Sequence, residues 1–583
     1  MILQALVQYY ARLREEGPER VASFGHCKER IHCLLEIDKE GKPTSIRSLM
    51  LEEQSIGRTG KTKTRLVPRP LIVPSTTETD ARASNKAPNF LWDNSKYTLG
   101  IDNDGTSKLA YFVAFQKHNL ALIGETNDEG LRAVVFFLNK WDPKEINNVA
   151  GHEIILNGKQ DYNLVFSLRG ERLFIHDRPA AKLLWDEKIQ RLESEYNKFG
   201  DKKQAQIATG VDLVTGMKGQ IARVHRKIGG LGNPTGNAVV SFNDEAYLSY
   251  GKKQSANAPI SIASAFEYTT ALNDLLDYSS GHRVTVADTV AVFWAARQSP
   301  VEGFLGFVLN PQKDDSANAE LRLYLEAIRE GKQPRDVDPA VQFNVLGLAP
   351  NVARLSIRFW YSGTVGEIGE RIGRHFRDIC IEKQYKDKEP DYPPLWRLLL
   401  ETAVQHKSEN IPPLLAGSVM RSLLTGAKYP ESLLAQVIAR IRAEHDVNYY
   451  RASLIKGCLT RNHSREVCMS LDKDNKTPAY LLGRVFALLE KVQKDAIPGA
   501  NTTIKDRYYS SASATPRSVF PILLRGAQHH IPKAPYGKHT EGQIEEVMQD
   551  VKEFPAHLNL EDQGFFAIGY YHQRNANYQK KDK

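Results

Sequence analysis

The apolar positions of this chain change character at Pro390. Before it, short runs of mixed period predominate. Ile2, Leu6, Tyr9 and Leu13 recur at helical spacing and predict an amphipathic N-terminal helix, whereas Ile31 to Ile37 alternates as a strand ahead of a hairpin at Asp38-Lys39-Glu40-Gly41. Leu109 to Phe115 and Ala133 to Leu138 read as core strands or short buried segments, Asn89 to Leu99 as aromatic packing, and Ala238 to Phe242 as a buried strand. Pro179 to Gln206 is charged and helical in pattern. Val284 to Ala296, with Asp288 inside it, predicts a buried helix holding one satisfied carboxylate. Phe343 to Gly363 predicts two strands about a Pro-Asn turn. In the second strand Leu355, Ile357, Phe359 and Tyr361 share one face, and Arg354, Ser356, Arg358 and Trp360 the other.

Beyond Pro390 amphipathic helices follow one another, among them Leu395 to Gln405, Leu414 to Leu424, Ser432 to Glu444, Ala479 to Lys494 and Gly542 to Glu553. In the fourth, Leu481, Val485, Leu488 and Val492 mark the core stripe, and Arg484, Lys491 and Lys494 fall toward the opposite side. The expected class is α+β: a mixed α/β region over 1–390 and a helical bundle over 391–583. A polar connector at 310–340, enclosing a helix at Ala319 to Glu330, is the candidate subdivision of the first.

A chain of 583 residues, 41% hydrophobic and 25% charged, has the balance of a multidomain globular protein. No apolar run approaches the roughly 18 residues of a membrane helix, and no secretion signal opens the chain. Five scattered cysteines suit a reducing cytoplasm better than a disulfide framework. His26-Cys27 and His32-Cys33 resemble a metal cluster, but strand alternation sends adjacent residues to opposite faces, so no structural zinc is expected. Asp102-Asn103-Asp104-Gly105 lacks the later positions of a calcium loop and is expected to be a turn. The net charge of +9 permits a polyanionic partner.

Two stretches carry chemistry suited to one. Gly229, Gly230, Gly232 and Gly236, with Asn233, form a loop that can bring backbone N–H groups against a ligand, and the chain turns again at Tyr250-Gly251-Lys252-Lys253-Gln254, near Asn257. Backbone amides, ammonium groups and short amide side chains suit phosphates and base edges. The glycine spacing matches neither a dinucleotide fingerprint nor a phosphate loop; Gly60-Lys61-Thr62 also fails the latter, because Ser55 stands where the first glycine belongs. The plainer reading is a glycine-rich connection with solvated lysines. The second stretch, Gly57 to Ser75, holds Arg58, Lys61, Lys63, Arg65 and Arg69 with no acidic residue and is expected to be an extended basic arm; Asn85, Lys86 and Asn89 follow it. No carboxylate cluster or nucleophile with its base stands at a recognisable spacing, so neither a catalytic residue nor a cofactor is expected.

GNPTGNAVVSFNDEAYLSYGKKQSANAP with EYTTALNDLL, then FNVLGLAPNVARLSIRFWYSG, TPAYLLGRVFALLEKVQKDA and GFFAIGYYHQR, together with MILQALVQYY and PNFLWDNSKYTLGI, resemble the large subunit of type I-C CRISPR Cascade. The resemblance spans nearly the whole chain. It implies a non-enzymatic subunit of an RNA-guided complex that recognises the motif flanking a DNA target, promotes duplex opening and helps recruit a helicase-nuclease. Its partners would be the guide RNA complex, duplex target and displaced strand, the backbone and guide-processing subunits, and a small subunit. The family makes that small subunit from an internal start, for which Met469, opening 469–583, is the candidate. On this reading Asn233, Lys252, Gln254 and Asn257 are the expected readers or wedge, the basic arm holds phosphates, and the basic face of the Ala479 helix meets the displaced strand. The alternative is a scaffold that never reads DNA.

Overall fold

The computed structural model describes residues 2–578 except 18–19, 57–61, 76–87, 159–160, 199–208, 234–235, 243, 253, 279, 287, 303–304, 306–325, 328–336, 352–353 and 386–387. The chain divides into two compact units, Met1–Asp277 with Asn351–Leu355, and Tyr278–Pro350 with Ser356–Lys583. No described helix is long and apolar enough to cross a membrane.

The first unit opens with helix α1 (Ile2–Glu16), which buries Leu6, Tyr9 and Leu13 on one stripe. Strands β1 (His26–Ile31), β2 (Cys33–Ile37) and β3 (Pro43–Ser48) follow, with Asp38 accepting from the backbone N–H groups of Glu40 and Lys42 to fix the expected hairpin. Where an extended basic loop was expected, the chain forms β4 (Leu51–Ile56), β5 (Thr62–Val67) and β6 (Arg69–Pro74); β4 pairs with β5 and β6 with β1, both antiparallel. Leu66, Val67, Leu71, Ile72 and Val73 supply the β preference that the charges concealed, and Pro68 marks the break between strands.

Strand β7 (Trp92–Asn94) precedes two helices, α2 (Leu109–Ile123) and α3 (Glu129–Lys140), over the segments expected to be core strands or short buried segments. Apolar residues surround much of α2, which leaves no period to recognise. For α3 the start signal is Asp128, whose carboxylate accepts from Leu131 N–H at 2.9 Å. Strand β8 (Asn163–Leu168) runs parallel to β2 inside the sheet β3-β2-β8-β7 and is buried from Leu164 onward, as a parallel strand covered on both faces should be. Phe115 and Phe137 cover Phe166 at ring separations of 6.3 and 5.6 Å. Helix α4 (Pro179–Lys198), the short hairpin β9 (Thr209–Val211) and β10 (Lys218–Gln220), and α5 (Ile262–Leu276) complete the unit.

In the second unit β11 (Arg283–Val286), β12 (Thr289–Ala295), β13 (Gln342–Asn351) and β14 (Arg354–Thr364) form a sheet in sequence order. The buried helix expected at Val284 to Ala296 is therefore two strands. Every residue of β12 is buried, so its apolar run is as continuous as that of an internal helix; Asp288 lies ahead of β12 and pairs with Arg358 at 2.7 Å. Helix α6 (Val365–Ile379) begins at a capping box in which Thr364 and Glu367 exchange side-chain and backbone hydrogen bonds.

The helices α7 (Pro413–Thr425), α8 (Glu431–Glu444), α9 (Tyr449–His463), α10 (Pro478–Ala496), α11 (Ile504–Ala512), α12 (Pro516–His530), α13 (Gly537–Met548) and α14 (Leu560–Tyr578) follow. One hydrophobic core runs from Phe293 and Phe343 in the sheet through these helices to Phe566 and Tyr570, so residues 278–350 and 356–390 share a unit with the bundle. At its centre α10 lies against α14. A Cβ at Gly483 would fall on the backbone oxygen of Phe566, and one at Gly569 on that of Tyr480, so the two glycines set the closeness of the crossing.

Candidate nucleic-acid interface

The glycine loop and the following turn lie in the first unit, each held by its own hydrogen bonds. Ile228 and Asn237 exchange backbone hydrogen bonds at 2.8 Å across the loop, while Asn233 Nδ2 donates to the Gly236 carbonyl at 3.0 Å. Gly229, Gly230 and Gly232 are exposed, and Gly232 holds φ at 84°, a backbone conformation that glycine adopts without a steric penalty. The strand expected at Ala238 to Phe242 is reduced to bridges at Asn237 and Ala238. The Ala238 carbonyl accepts from Leu355 N–H, in the same unit, at 3.1 Å, so a single hydrogen bond takes the place of a ladder.

Arg354, the neighbour of Leu355, stacks over the Tyr247 ring at 3.8 Å and brings the segment leading to the second turn to the same edge. From there the chain forms a fastened finger. Asn257 accepts from Ser249 N–H at 2.9 Å and donates to the Lys252 carbonyl at 3.1 Å, clamping both sides of the turn; Lys252 N–H also bonds the Ser249 carbonyl at 2.9 Å. At the tip Tyr250 adopts φ of 52° and is 100% exposed, with Gly251 and Lys252 exposed beside it. A non-glycine residue in this backbone region signals local strain, and a bare aromatic ring on such a turn is a stacking surface. Neither Tyr250 nor Tyr247 stands out from the sequence; the signal available there is a tyrosine immediately before the turn glycine.

The structure divides the remaining expected residues. Arg58, Lys61, Asn85, Lys86 and Lys253 lie outside the described residues. Lys63 falls on β5, and Gln254 opens a short 3₁₀ turn, Gln254–Asn257. Arg65 and Arg69 are exposed, the first across from Glu53 and the second across from Ile31. Asn89 is buried at 2% exposure, with its backbone held by Asp93 and Asn119, and so cannot meet a groove from this position.

The basic face expected on the Ala479 helix is also corrected. Arg484 is buried at 5% exposure and donates to Gln573 Oε1 at 3.2 Å, Lys491 pairs with Asp495 at 2.6 Å, and Lys494 pairs with Glu490 at 2.6 Å. Burial takes Arg484 off the surface, whereas Lys491 and Lys494 stay partly exposed and are paired with carboxylates one turn away on α10 itself, so the helix carries no row of unpaired cations. On β14, Arg358 is taken by Asp288 and Trp360 lies against Trp294 at 5.7 Å.

Among the described residues no group of three or more His, Cys, Asp or Glu side chains is placed to hold a metal ion. Asp102 and Gly105 close the expected turn through Gly105 N–H to the Asp102 carbonyl at 3.2 Å. A family model described as CRISPR-associated protein (Cas_Csd1) matches residues 6–578. No curated protein matches the chain.

Proposed function

The chain belongs to the CRISPR-associated Cas_Csd1 family, the large subunits of type I-C Cascade, and on that premise we propose that it reads the short motif flanking a DNA target and helps to open the duplex beside it. The observation that carries this reading is the finger at Ser249–Asn257, clamped at its base by Asn257 and presenting an exposed Tyr250 and Lys252 at its tip.

A narrow groove admits slim loops, and a ring inserted between base pairs unstacks them. In this proposal Lys252, Lys253 and Gln254 contact the flank, the exposed backbone at Gly232 approaches a phosphate while Gly229 N–H, donated to Asn273 Oδ1 at 2.9 Å, fixes the loop that presents it, and Tyr250 is the wedge. Asn233 and Asn257 hold the two loops in shape. Arg65 and Arg69, with the rest of the basic arm, hold phosphates farther out. Guide pairing then supplies sequence specificity, and the opened complex recruits the helicase-nuclease.

The test is binding of the assembled guide complex to duplexes with correct or scrambled flanks, comparing wild type with Gln254→Ala and Lys252→Ala/Lys253→Ala. Loss of discrimination is the expected result, together with a salt slope reduced by about 0.9 for each phosphate no longer neutralised. Tyr250→Ala should slow opening of a paired target and recover on one carrying a mismatched bubble at the junction. Variants that bind, discriminate and open DNA as wild type does would leave the chain a scaffold that reads no DNA.

A further inference from the structure

On the hairpin of β9 and β10 in the first unit, Val211 is 52% exposed, Leu213 63% and Met217 71%. Single exposed apolar residues are ordinary on a protein surface, but a group of them on one short hairpin marks a contact surface. Val211 stands directly across from Lys218 in the strand register, and Asp212 N–H donates to the Met217 carbonyl at 2.9 Å, so the apolar residues belong to one tight turn and its base.

Asp212 holds that turn from the inside. Its buried carboxylate accepts from Val214 N–H at 3.1 Å, Thr215 Oγ1 at 2.8 Å, Ser261 N–H at 3.2 Å, Ser261 Oγ at 3.0 Å and Ser264 Oγ at 2.6 Å. Ser261 is the N-cap of α5, so these bonds fasten the turn to the start of a helix. Gln4 of α1 donates from Nε2 to the Val214 carbonyl at 2.9 Å, and Leu213 N–H bonds the Pro259 carbonyl at 2.9 Å. Burial works to raise the Asp212 pKa, yet the donors around it hold it below the ordinary carboxylate value, so the latch stays charged. The side chains of Val211, Leu213 and Met217 take no part in these bonds. The rim beside them is basic: Lys218 is exposed and makes no ion pair among the described residues, Arg223 and Val224 are exposed just beyond β10, and no acidic residue occurs from Leu213 to Asn243.

From this arrangement we infer that the hairpin is a docking element, which inserts Leu213 and Met217 into an apolar socket edged by carboxylates on another protein of the guide complex. A phosphate chain would gain from Lys218 and nothing from the apolar side chains, whereas a socket of this chemistry uses both. The hydrogen bonds of Asp212 order the turn in advance, which spares the association that entropy, and an unbranched methionine adapts to the wall it meets. The inference does not depend on the finger at Tyr250 reading DNA.

The experiment titrates the labelled full chain into a guide complex assembled without it, for wild type, Leu213→Ser/Met217→Ser, Lys218→Glu and Lys218→Arg. The double variant should weaken association by about 30-fold or more, the loss expected when hot-spot side chains are truncated. Lys218→Glu should weaken it several-fold, by a margin that narrows as salt is raised, and Lys218→Arg should bind as wild type does. All of these positions are exposed, and equal melting temperatures would confirm that the variants fold. In a second measurement Met217→p-benzoylphenylalanine, irradiated in the assembled complex, should join the chain to one other protein at a segment with apolar residues beside aspartate or glutamate.

Unchanged association of the double variant overturns the inference. So does a crosslink to a second copy of this chain, to guide RNA or to DNA, and so does Lys218→Glu binding as wild type does, because the carboxylate edge is then missing. Complexes that do form with the double variant should still discriminate between flanks, so failure here and failure of the finger at Tyr250 give different results.

Discussion

His225 and His572 are neutral in the folded chain. Each is enclosed and places Nδ1 against a tyrosine hydroxyl, Tyr268 at 2.6 Å and Tyr480 at 3.0 Å, and burial lowers each pKa to about 4. In the unfolded chain the same rings take up a proton near pH 6.5. Their contribution is therefore intact above about pH 6.5 and is lost as the pH falls toward 4, where the folded rings themselves protonate; at pH 5 each costs roughly 2 kcal/mol. The melting temperature should drop between pH 7.5 and 5, and His572→Gln should make the drop shallower. An identical drop in the variant would show that the ring is protonated without cost. His118, His176 and His375, lowered by burial to about 4, 4 and 3, act in the same direction.

At the scale of elements, the crossing of α10 and α14 depends on Gly483 and Gly569, where a methyl group would press on the opposing backbone. Alanine in a helix ordinarily gains about 1 kcal/mol over glycine. Here overpacking should outweigh that gain and leave each Gly→Ala variant destabilised by roughly 1–3 kcal/mol, as measured by chemical denaturation of the full chain. A neutral or stabilised variant would mean the helices can move apart freely. The same crossing explains what the sequence could and could not convey. Helices with one polar side, such as α7 and α8, were legible at nearly their true ends. The continuous apolar run of β12 is what an internal helix also shows, because burial on both sides erases the period that separates the two. The position of α10 was legible, but its basic residues were misplaced, since sequence spacing gives faces of a helix without telling which of them a neighbour will cover. Tyr250 was hidden for the opposite reason: a tyrosine is ordinarily assigned to packing, and only the clamped turn shows this one to be bare.

At the scale of the whole molecule, Met469 lies on the exposed stretch between α9 and α10, with its carbonyl accepting from Glu382 N–H at 2.8 Å. As an internal start it would yield a piece containing α10 to α14. That piece keeps the α10–α14 crossing but loses the cover that Ile455, Leu459 and Leu434 give Gly564, so it should associate with the complex through the uncovered side. Met469→Leu is expected to abolish a short co-purifying product of 469–583, and persistence of the product would exclude the assignment. The α10–α14 crossing also has a consequence for how the chain is made. The 19 residues of α10 are mostly buried and pack against the last described helix, whose residues leave the ribosome only after a further 64 positions, from Ala496 to Leu560, have been translated. During that interval α11, α12 and α13 can already pack against α10, but the face that α14 covers stays open, so vectorial synthesis delays consolidation of this part of the bundle until α14 emerges.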